Sequence, residues 1–281
     1  MNDEVSLSRA DHQRIADYIG RHTGIQLPDH KRQLIETRLR KRLKATGKAS
    51  ISEYLDYAFS PEESGLELVL LVDALTTNKT DFFREANHFE ALRDFVFHGV
   101  SNGQRWHESP FRIWSAACSS GEEPYTLAIV LWELAEQIPG FRFVIDASDI
   151  STKVLDHAMT GIYDVARIDP VPEYLRKKYF LRSQDPAKRL IKMSKQLREV
   201  IRFFSFNLIT GDYGRSAEYD VIFCRNVMIY FCDEDRAKVI RSLRGELKPN
   251  GLLILGHSES IGNQREGFEP VAPTVYRKVE A

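Results

Sequence analysis

From Ser8 to Leu75 the apolar residues recur at three- and four-residue spacing, with no period-two alternation and few glycines. That pattern predicts a set of helices, each with one apolar stripe. Ile15, Tyr18, Ile19 and His22 define the first, with Ser8 suited to its N-cap and Gly24 just past its end. Further helices are predicted over residues 29–45, 50–59 and 66–75. After Trp106 the pattern becomes short apolar strands alternating with helices, the signature of a mostly parallel sheet covered on both faces. Strands are predicted at 111–115, 141–147, 201–206, 219–224 and 252–255, with 274–277 closing an antiparallel edge, and helices at 122–137, 152–160 and 234–247.

The fold class is therefore α/β, a doubly wound, mostly parallel sheet with a small N-terminal helical domain. The domains are read as 1–75 and 76–281, and residues 78–102 as a mostly helical connection. Between 161 and 200 the alternation lapses. Arg189 to Met193, followed by Leu197-Arg198, predicts short antiparallel strands forming an inserted β-subdomain at about 162–200, an element suited to binding a partner.

Composition narrows the class. The net charge of −1 over 281 residues gives no general attraction to nucleic acid. The apolar run 66–75 is short and broken by Glu67 and Asp73, well below the roughly 20 residues of a membrane span. Cys118, Cys224 and Cys232 show no CxxC spacing, and the chain starts without a basic, apolar leader. A reduced cytoplasmic protein without a metal is expected.

In such a sheet a ligand lies outside the carboxyl ends of the strands. Collecting the residues there gives Glu123 after the first strand, Asp149 after the second, Asn207 and Leu208 after the third, and Arg225 and Asn226 after the fourth. The first turn, Ala116 to Gly121, runs into a helix opening Glu122-Glu123-Pro124. Two acids stand where a nucleotide phosphate would sit, which points to a ligand offering hydroxyls or positive charge. Asp149 suits ribose hydroxyls, with Ser151 available to cap the following helix. Arg225 could instead form a structural salt bridge, and Tyr230 reads as a core aromatic with a satisfied hydroxyl. Asn78 to Arg84 reads as a turn into a helix capped by Asn78 or Thr80, with Phe82 and Phe83 as anchors.

Taken in order, TTNKTDFFRE (Thr76 to Glu85), SAACSSGEEPY (Ser115 to Tyr125), SDIS (Ser148 to Ser151), FNL (Phe206 to Leu208), FCRNVMIYF (Phe223 to Phe231) and LGHSES (Leu255 to Ser260) resemble the bacterial chemotaxis protein methyltransferases. The resemblance spans nearly the whole chain. It implies a class I, Rossmann-like methyltransferase that uses S-adenosylmethionine to esterify glutamates on chemoreceptors, leaving S-adenosylhomocysteine. By resemblance, Asn78, Thr80, Arg84, Glu123, Asp149, Asn207, Leu208, Arg225 and Asn226 would bind the cofactor: Glu123 its methionine or ribose end, Asp149 its ribose, Asn207 and Leu208 its adenine. Arg84 and Tyr230 would face the transferred methyl. The acidic turn then has a reason, because this cofactor carries a sulfonium and an ammonium and no phosphate.

Residues 31–44 carry seven cations against one acid, Glu36. Ile35, Leu39 and Leu43 form the apolar stripe, with Lys41 and Lys44 opposite and Arg38 and Arg40 on its flanks. A charge run of this kind is ordinarily a solvated face. With the resemblance it becomes a docking surface for receptor helices around Arg38, Lys41 and Lys44, and the inserted strands offer an edge of the kind that some members of the family, and not others, use for a receptor's C-terminal peptide. A methyltransferase for another substrate and a non-catalytic receptor-binding regulator are the alternatives. Arg225-Asn226-Val227-Met228 in place of an Asn/Asp-Pro-Pro-aromatic motif disfavours chemistry on base amines.

Overall fold

The computed structural model describes residues 6–60, 65–76, 78–104, 106–214, 216–262 and 267–280. The expected domains also include residues 1–5, 61–64, 77, 105, 215, 263–266 and 281, which lie outside the described residues.

Four helices open the chain: α1 (Arg9–Thr23), α2 (Arg32–Thr46), α3 (Ile51–Ala58) and α4 (Leu66–Leu75). Ser8 caps α1 by accepting from the Asp11 amide, and Gly24 ends it in the left-handed region. The predicted helix at 29–45 divides, because Asp29–Lys31 forms a 3-10 turn before α2 begins. Ile15, Ile19, Ile35, Leu39, Tyr54, Leu55 and Leu71 bury a separate small core between these helices. None of the described helices is long and apolar enough to cross a membrane.

Residues 78–86 are not helical. Turns fill them, with Phe83 and Glu85 in the left-handed region, and α5 (Asn87–Ser101) begins only after Ala86 with no side-chain cap. Neither Asn78 nor Thr80 caps a helix. The alternating pattern then gives β1 (Phe111–Ala116), α6 (Glu122–Ala135), β2 (Phe143–Asp149) and α7 (Thr152–Thr160). Next come β3 (Ile162–Asp164), α8 (Glu173–Tyr179), β4 (Phe180–Arg182), β5 (Leu190–Met193), α9 (Lys195–Glu199) and β6 (Ile201–Ser205). The chain closes with β7 (Tyr219–Cys224), α10 (Asp233–Glu246), β8 (Leu247–Leu255), β9 (Phe268–Ala272) and β10 (Val275–Lys278).

The main sheet runs β6-β2-β1-β7-β8-β10-β9. β6, β2, β1, β7 and β8 are parallel, and β10 and β9 antiparallel. Two corrections follow. β2 starts at Phe143 rather than 141, and the edge belongs to β9, with β10 inside it. β9 escapes the pattern because Glu269, Pro270 and Val271 are exposed in succession, as an edge strand allows. The insert is a three-stranded antiparallel sheet, β3-β5-β4. Leu197-Arg198, expected as strand, lies in α9, where Leu197 alone is buried.

Chain order reverses between β1 and β7, so the crevice at their carboxyl ends is the ligand position of this topology. Apolar cores fill both sheet faces, one under α5 and α6 and the other under α10. The front helices sit directly on this crevice. At Gly24 (φ +73°) an added Cβ would lie 2.7 Å from Ile209 Cγ1 and 3.2 Å from Phe231, so the contact admits no side chain.

Candidate active site

One cleft at the carboxyl ends of β1, β2, β6 and β7 gathers every residue the sequence nominated: Asn78, Thr80, Arg84, Glu123, Asp149, Asn207, Leu208, Arg225, Asn226 and Tyr230. Its other wall comes from the front helices, through Thr23, Ile25, Leu27, Lys31, Leu34 and Arg38. Of these the sequence reading places only Lys31 and Arg38, in the cationic run of residues 31–44.

Ala117, Ser119 and Asn226 of the cleft lining, with Phe83 and Glu85 next to Arg84 in sequence, are five of nine non-glycine residues with positive φ among the described residues. Such conformations cost energy and concentrate at working sites.

Asp149 ends β2, nearly buried. One carboxylate oxygen accepts from Ser119 N–H and the other from Ser151 N–H, both at 2.9 Å, while Ser151 itself caps α7. Burial raises its pKa, opposed by the amides of Ser151, Ser119 and Ile150. Three amides thus share the two oxygens, and the carboxylate keeps acceptor capacity for a hydroxyl donor.

The two acids of the α6 turn part company. Glu123 faces the cleft, accepting from the Ser115 hydroxyl at 2.7 Å and Arg225 Nη1 at 2.9 Å. Glu122 turns away into the protein, where its carboxylate pairs with Arg167 of the insert and accepts from Ser120 Oγ. Of the two acids read as standing where a phosphate would sit, only Glu123 lines the cleft. Adjacent helical positions point about 100° apart, and the insert supplied a cation for the second.

Arg225 is the structural salt bridge the sequence allowed for, and it lines the cleft as well. Its guanidinium reaches Glu123 and Glu85, each at 2.9 Å, and lies over the rings of Phe89 and Phe223. Burial pushes Glu85 up, but its bonding to Arg225 outweighs this and leaves the carboxyl below its ordinary range. Behind Glu85 sits His88, whose ring is lowered to about 4 by burial and by the Arg225 charge.

The Asn207 side chain is committed at both ends. Its Oδ1 accepts from Ile209 N–H and its Nδ2 donates to His22 O of α1, so the side-chain amide is tied to a turn and to the front module. Tyr230, expected as a core aromatic, is only half-buried, and its hydroxyl has no hydrogen-bond partner among the described residues. The Lys31 ammonium lies 5.3 Å from its ring centre. Arg38, expected on the docking face, turns inward and donates to Leu75 O and Thr76 O.

Three contributors went unassigned in the sequence. Glu259, in the quoted HSES run, accepts four backbone amides: Asn226 (2.7 Å), Gly256 (2.8 Å), Met228 (2.8 Å) and Ile229 (3.3 Å). It pins the segment that carries Asn226 and Tyr230. Arg167 joins the insert to residues 78–86 through Thr80 O and Asp81. Glu85 was quoted within its motif without a role. No local periodicity marks these three, because each acts on chain distant in sequence.

Both signs of formal charge line the cleft. On its buried side lie Glu123 and Asp149, with Glu85 behind and Arg225 as the one cation. The lining also carries Lys31, Lys79 and Arg84, of which Lys79 is exposed and the other two half-buried, and Arg38, which is turned inward, while Asp81 is paired with Arg167.

Residues 10–76 match the family described as "CheR methyltransferase, all-alpha domain", and residues 78–277 match "CheR methyltransferase, SAM binding domain". The chain is 40% identical over 276 residues to the Pseudomonas aeruginosa protein named "Chemotaxis protein methyltransferase 2", covering 98% of this chain and 95% of that one. It is 38% identical over 276 residues to the "Chemotaxis protein methyltransferase" of Salmonella typhimurium, covering 98% and 92%. The Escherichia coli protein of that name is 37% identical over 276 residues, covering 98% and 93%.

Proposed function

The chain belongs to the CheR family of chemotaxis methyltransferases, and from that premise we infer that it esterifies glutamate side chains of chemoreceptors with methyl from S-adenosylmethionine. The observation that carries the glutamate reading is the charge of the cleft lining: the buried Asp149 and half-buried Glu123 suit a cationic cofactor, and Lys31, Lys79 and Arg84, none of them buried, suit an anionic acceptor. The residues present fit that cofactor, since Asp149 retains acceptor capacity for a hydroxyl and the first turn of α6 presents an acid where a phosphate site would present bare amides. Asn78, Thr80, Arg84, Glu123, Asp149, Leu208, Arg225 and Asn226 would hold it. Asn207 would do so only indirectly, by fixing its turn.

When bound, S-adenosylmethionine supplies a methyl on a sulfonium that passes in line to a carboxylate oxygen, leaving S-adenosylhomocysteine. A glutamate is already ionised at neutral pH, so the protein need supply no general base. Its task is alignment and exclusion of water. Arg84, beside Lys79 O, and the Tyr230 hydroxyl would orient the carboxylate. The front helices close the cleft over them.

Lys41 and Lys44, both exposed, would meet a receptor helix, with Arg38 replaced in that role because it is turned inward. A receptor's C-terminal peptide would add to the insert at β4, an edge strand whose Leu181 is 58% exposed. The proposed compartment is the cytoplasm, where the three thiols stay reduced.

The test is transfer of labelled methyl from S-adenosylmethionine to a chemoreceptor, followed by alkali. Release of the label as methanol supports a glutamate ester. Label that resists alkali, or no transfer to any receptor, overturns the reading.

A further inference from the structure

Behind the cleft, Glu85, His88 and His257 bring one carboxylate and two imidazoles together, with donor atoms all within 4.8 Å of one another. None of the expectations drawn from sequence concerned this cluster, since Glu85 and His88 precede His257 by about 170 positions. His88 is fully buried. Its Nε2 is 2.9 Å from the Thr274 hydroxyl, while its Nδ1 has no hydrogen-bond partner among the described residues and faces Glu85 Oε2 at 3.5 Å. A buried ring nitrogen left unpaired beside a carboxylate is a costly arrangement.

His257, exposed, places its Nε2 3.0 Å from Asn87 Oδ1. That oxygen only accepts, so Nε2 carries the hydrogen and Nδ1 keeps the lone pair. A partner of this kind on the far nitrogen is what orients histidines that ligate metals.

We propose that Glu85, His88 and His257 form a binding site for a borderline transition-metal dication of the Zn2+ class, antagonistic to the cofactor. Two imidazoles and one carboxylate are a zinc donor set, and hard cations such as Mg2+ prefer oxygen alone. Tetrahedral zinc holds its donors about 3.3 Å apart, so donors lying within 4.8 Å of one another have to close by at most about 1.5 Å. The exposed His257 ring can make that movement.

The antagonism comes from Glu85. Its Oε2 already accepts from Arg225 Nη2 at 2.9 Å, and its Oε1 is 3.4 Å from Asn226 Nδ2. A metal drawing on this carboxylate loosens Arg225 and Asn226, both of which line the cleft, and sets a dication near the Arg225 guanidinium. Binding at the two sites is then mutually weakening by the same factor in each direction. This coupling rests on the cofactor reading above, whereas the metal site itself does not.

The chelator-stripped full chain is titrated calorimetrically with zinc chloride, with and without S-adenosylhomocysteine. One zinc should bind per chain, His257→Ala should weaken it by more than about tenfold while leaving S-adenosylhomocysteine affinity of the metal-free chain within about twofold, and zinc should weaken that affinity at least about tenfold. Cobalt should give visible ligand-field absorption that His257→Ala abolishes. Cys232→Ser, which removes the exposed thiol, should change nothing. Zinc that does not bind, or that binds His257→Ala as well as the parent, overturns the site. Zinc and S-adenosylhomocysteine binding independently overturns the antagonism. Failure of S-adenosylhomocysteine to bind the metal-free chain is a separate outcome that counts against the cofactor reading and leaves the zinc result standing.

Discussion

Gln26 of the front module donates its backbone N–H to the carbonyl of Tyr230 at 2.8 Å. Beside this bond, Gly24 packs on Ile209 and Phe231. The proposed acceptor-orienting tyrosine is thus seated by two parts of the chain some two hundred residues apart.

Gly24→Val forces a branched side chain into a left-handed residue and against Ile209. A loss of about 2–4 kcal/mol is expected, from backbone strain plus overpacking. Urea unfolding would show it as a lower midpoint. An unchanged midpoint would mean the two modules are not tightly joined here.

Tyr230→Phe removes only a half-buried hydroxyl that has no hydrogen-bond partner among the described residues. Stability and S-adenosylhomocysteine affinity should therefore hold while kcat falls about 100- to 1,000-fold, the usual cost of one donor aimed at reacting charge. Arg84→Ala should lower the rate at least as far. If both variants fold normally and methylate at full speed, neither residue orients the acceptor.

Arg167→Met strands Glu122, whose side chain is 1% exposed, without its cation. Removing one partner of a buried pair is strongly destabilising, but Arg167 is itself 39% exposed, so about 2–3 kcal/mol is expected rather than the full cost. Adding Glu122→Gln should restore most of the loss. A double-mutant cycle reads the coupling directly, and additive losses would show that the pair contributes nothing.

Glu259→Gln replaces one acceptor oxygen by an NH2 group that must face backbone N–H donors. About 2–4 kcal/mol of stability should go, because the remaining amides lose a charged acceptor. At temperatures well below unfolding, kcat should drop as well, since the same amides set Asn226 and Tyr230. Full activity in a destabilised variant would limit Glu259 to a structural part.

The sheet and its carboxyl-end rim were legible because strand–helix alternation fixes which residues emerge where. Asp149, Arg225 and Asn226 needed only their place after a strand. Residues 78–86 were misread as helix since Thr80 and Asn78 are good caps and two phenylalanines suggest a buried face. Tertiary contacts outweighed this preference: Phe82 lies edge-on between Tyr163 and Phe180 of the insert, and Phe83 N–H donates to Thr126. Glu122 and Arg38 were misdirected for a related reason. A helical wheel tells which face a charge occupies but not what waits opposite it, and each found a partner from distant chain. Leu197 was taken for strand because one apolar residue among polar neighbours fits either period.

The wall that the front helices give the cleft bears on exchanging parts among relatives. Grafting another protein's first seventy-six residues onto this chain, as one would to redirect receptor choice, also replaces Lys31 beside Tyr230 and the His22 carbonyl that holds Asn207. Recognition and turnover therefore cannot be inherited separately, and a chimera with the intended receptor preference will carry altered rates unless these contacts are transplanted with it.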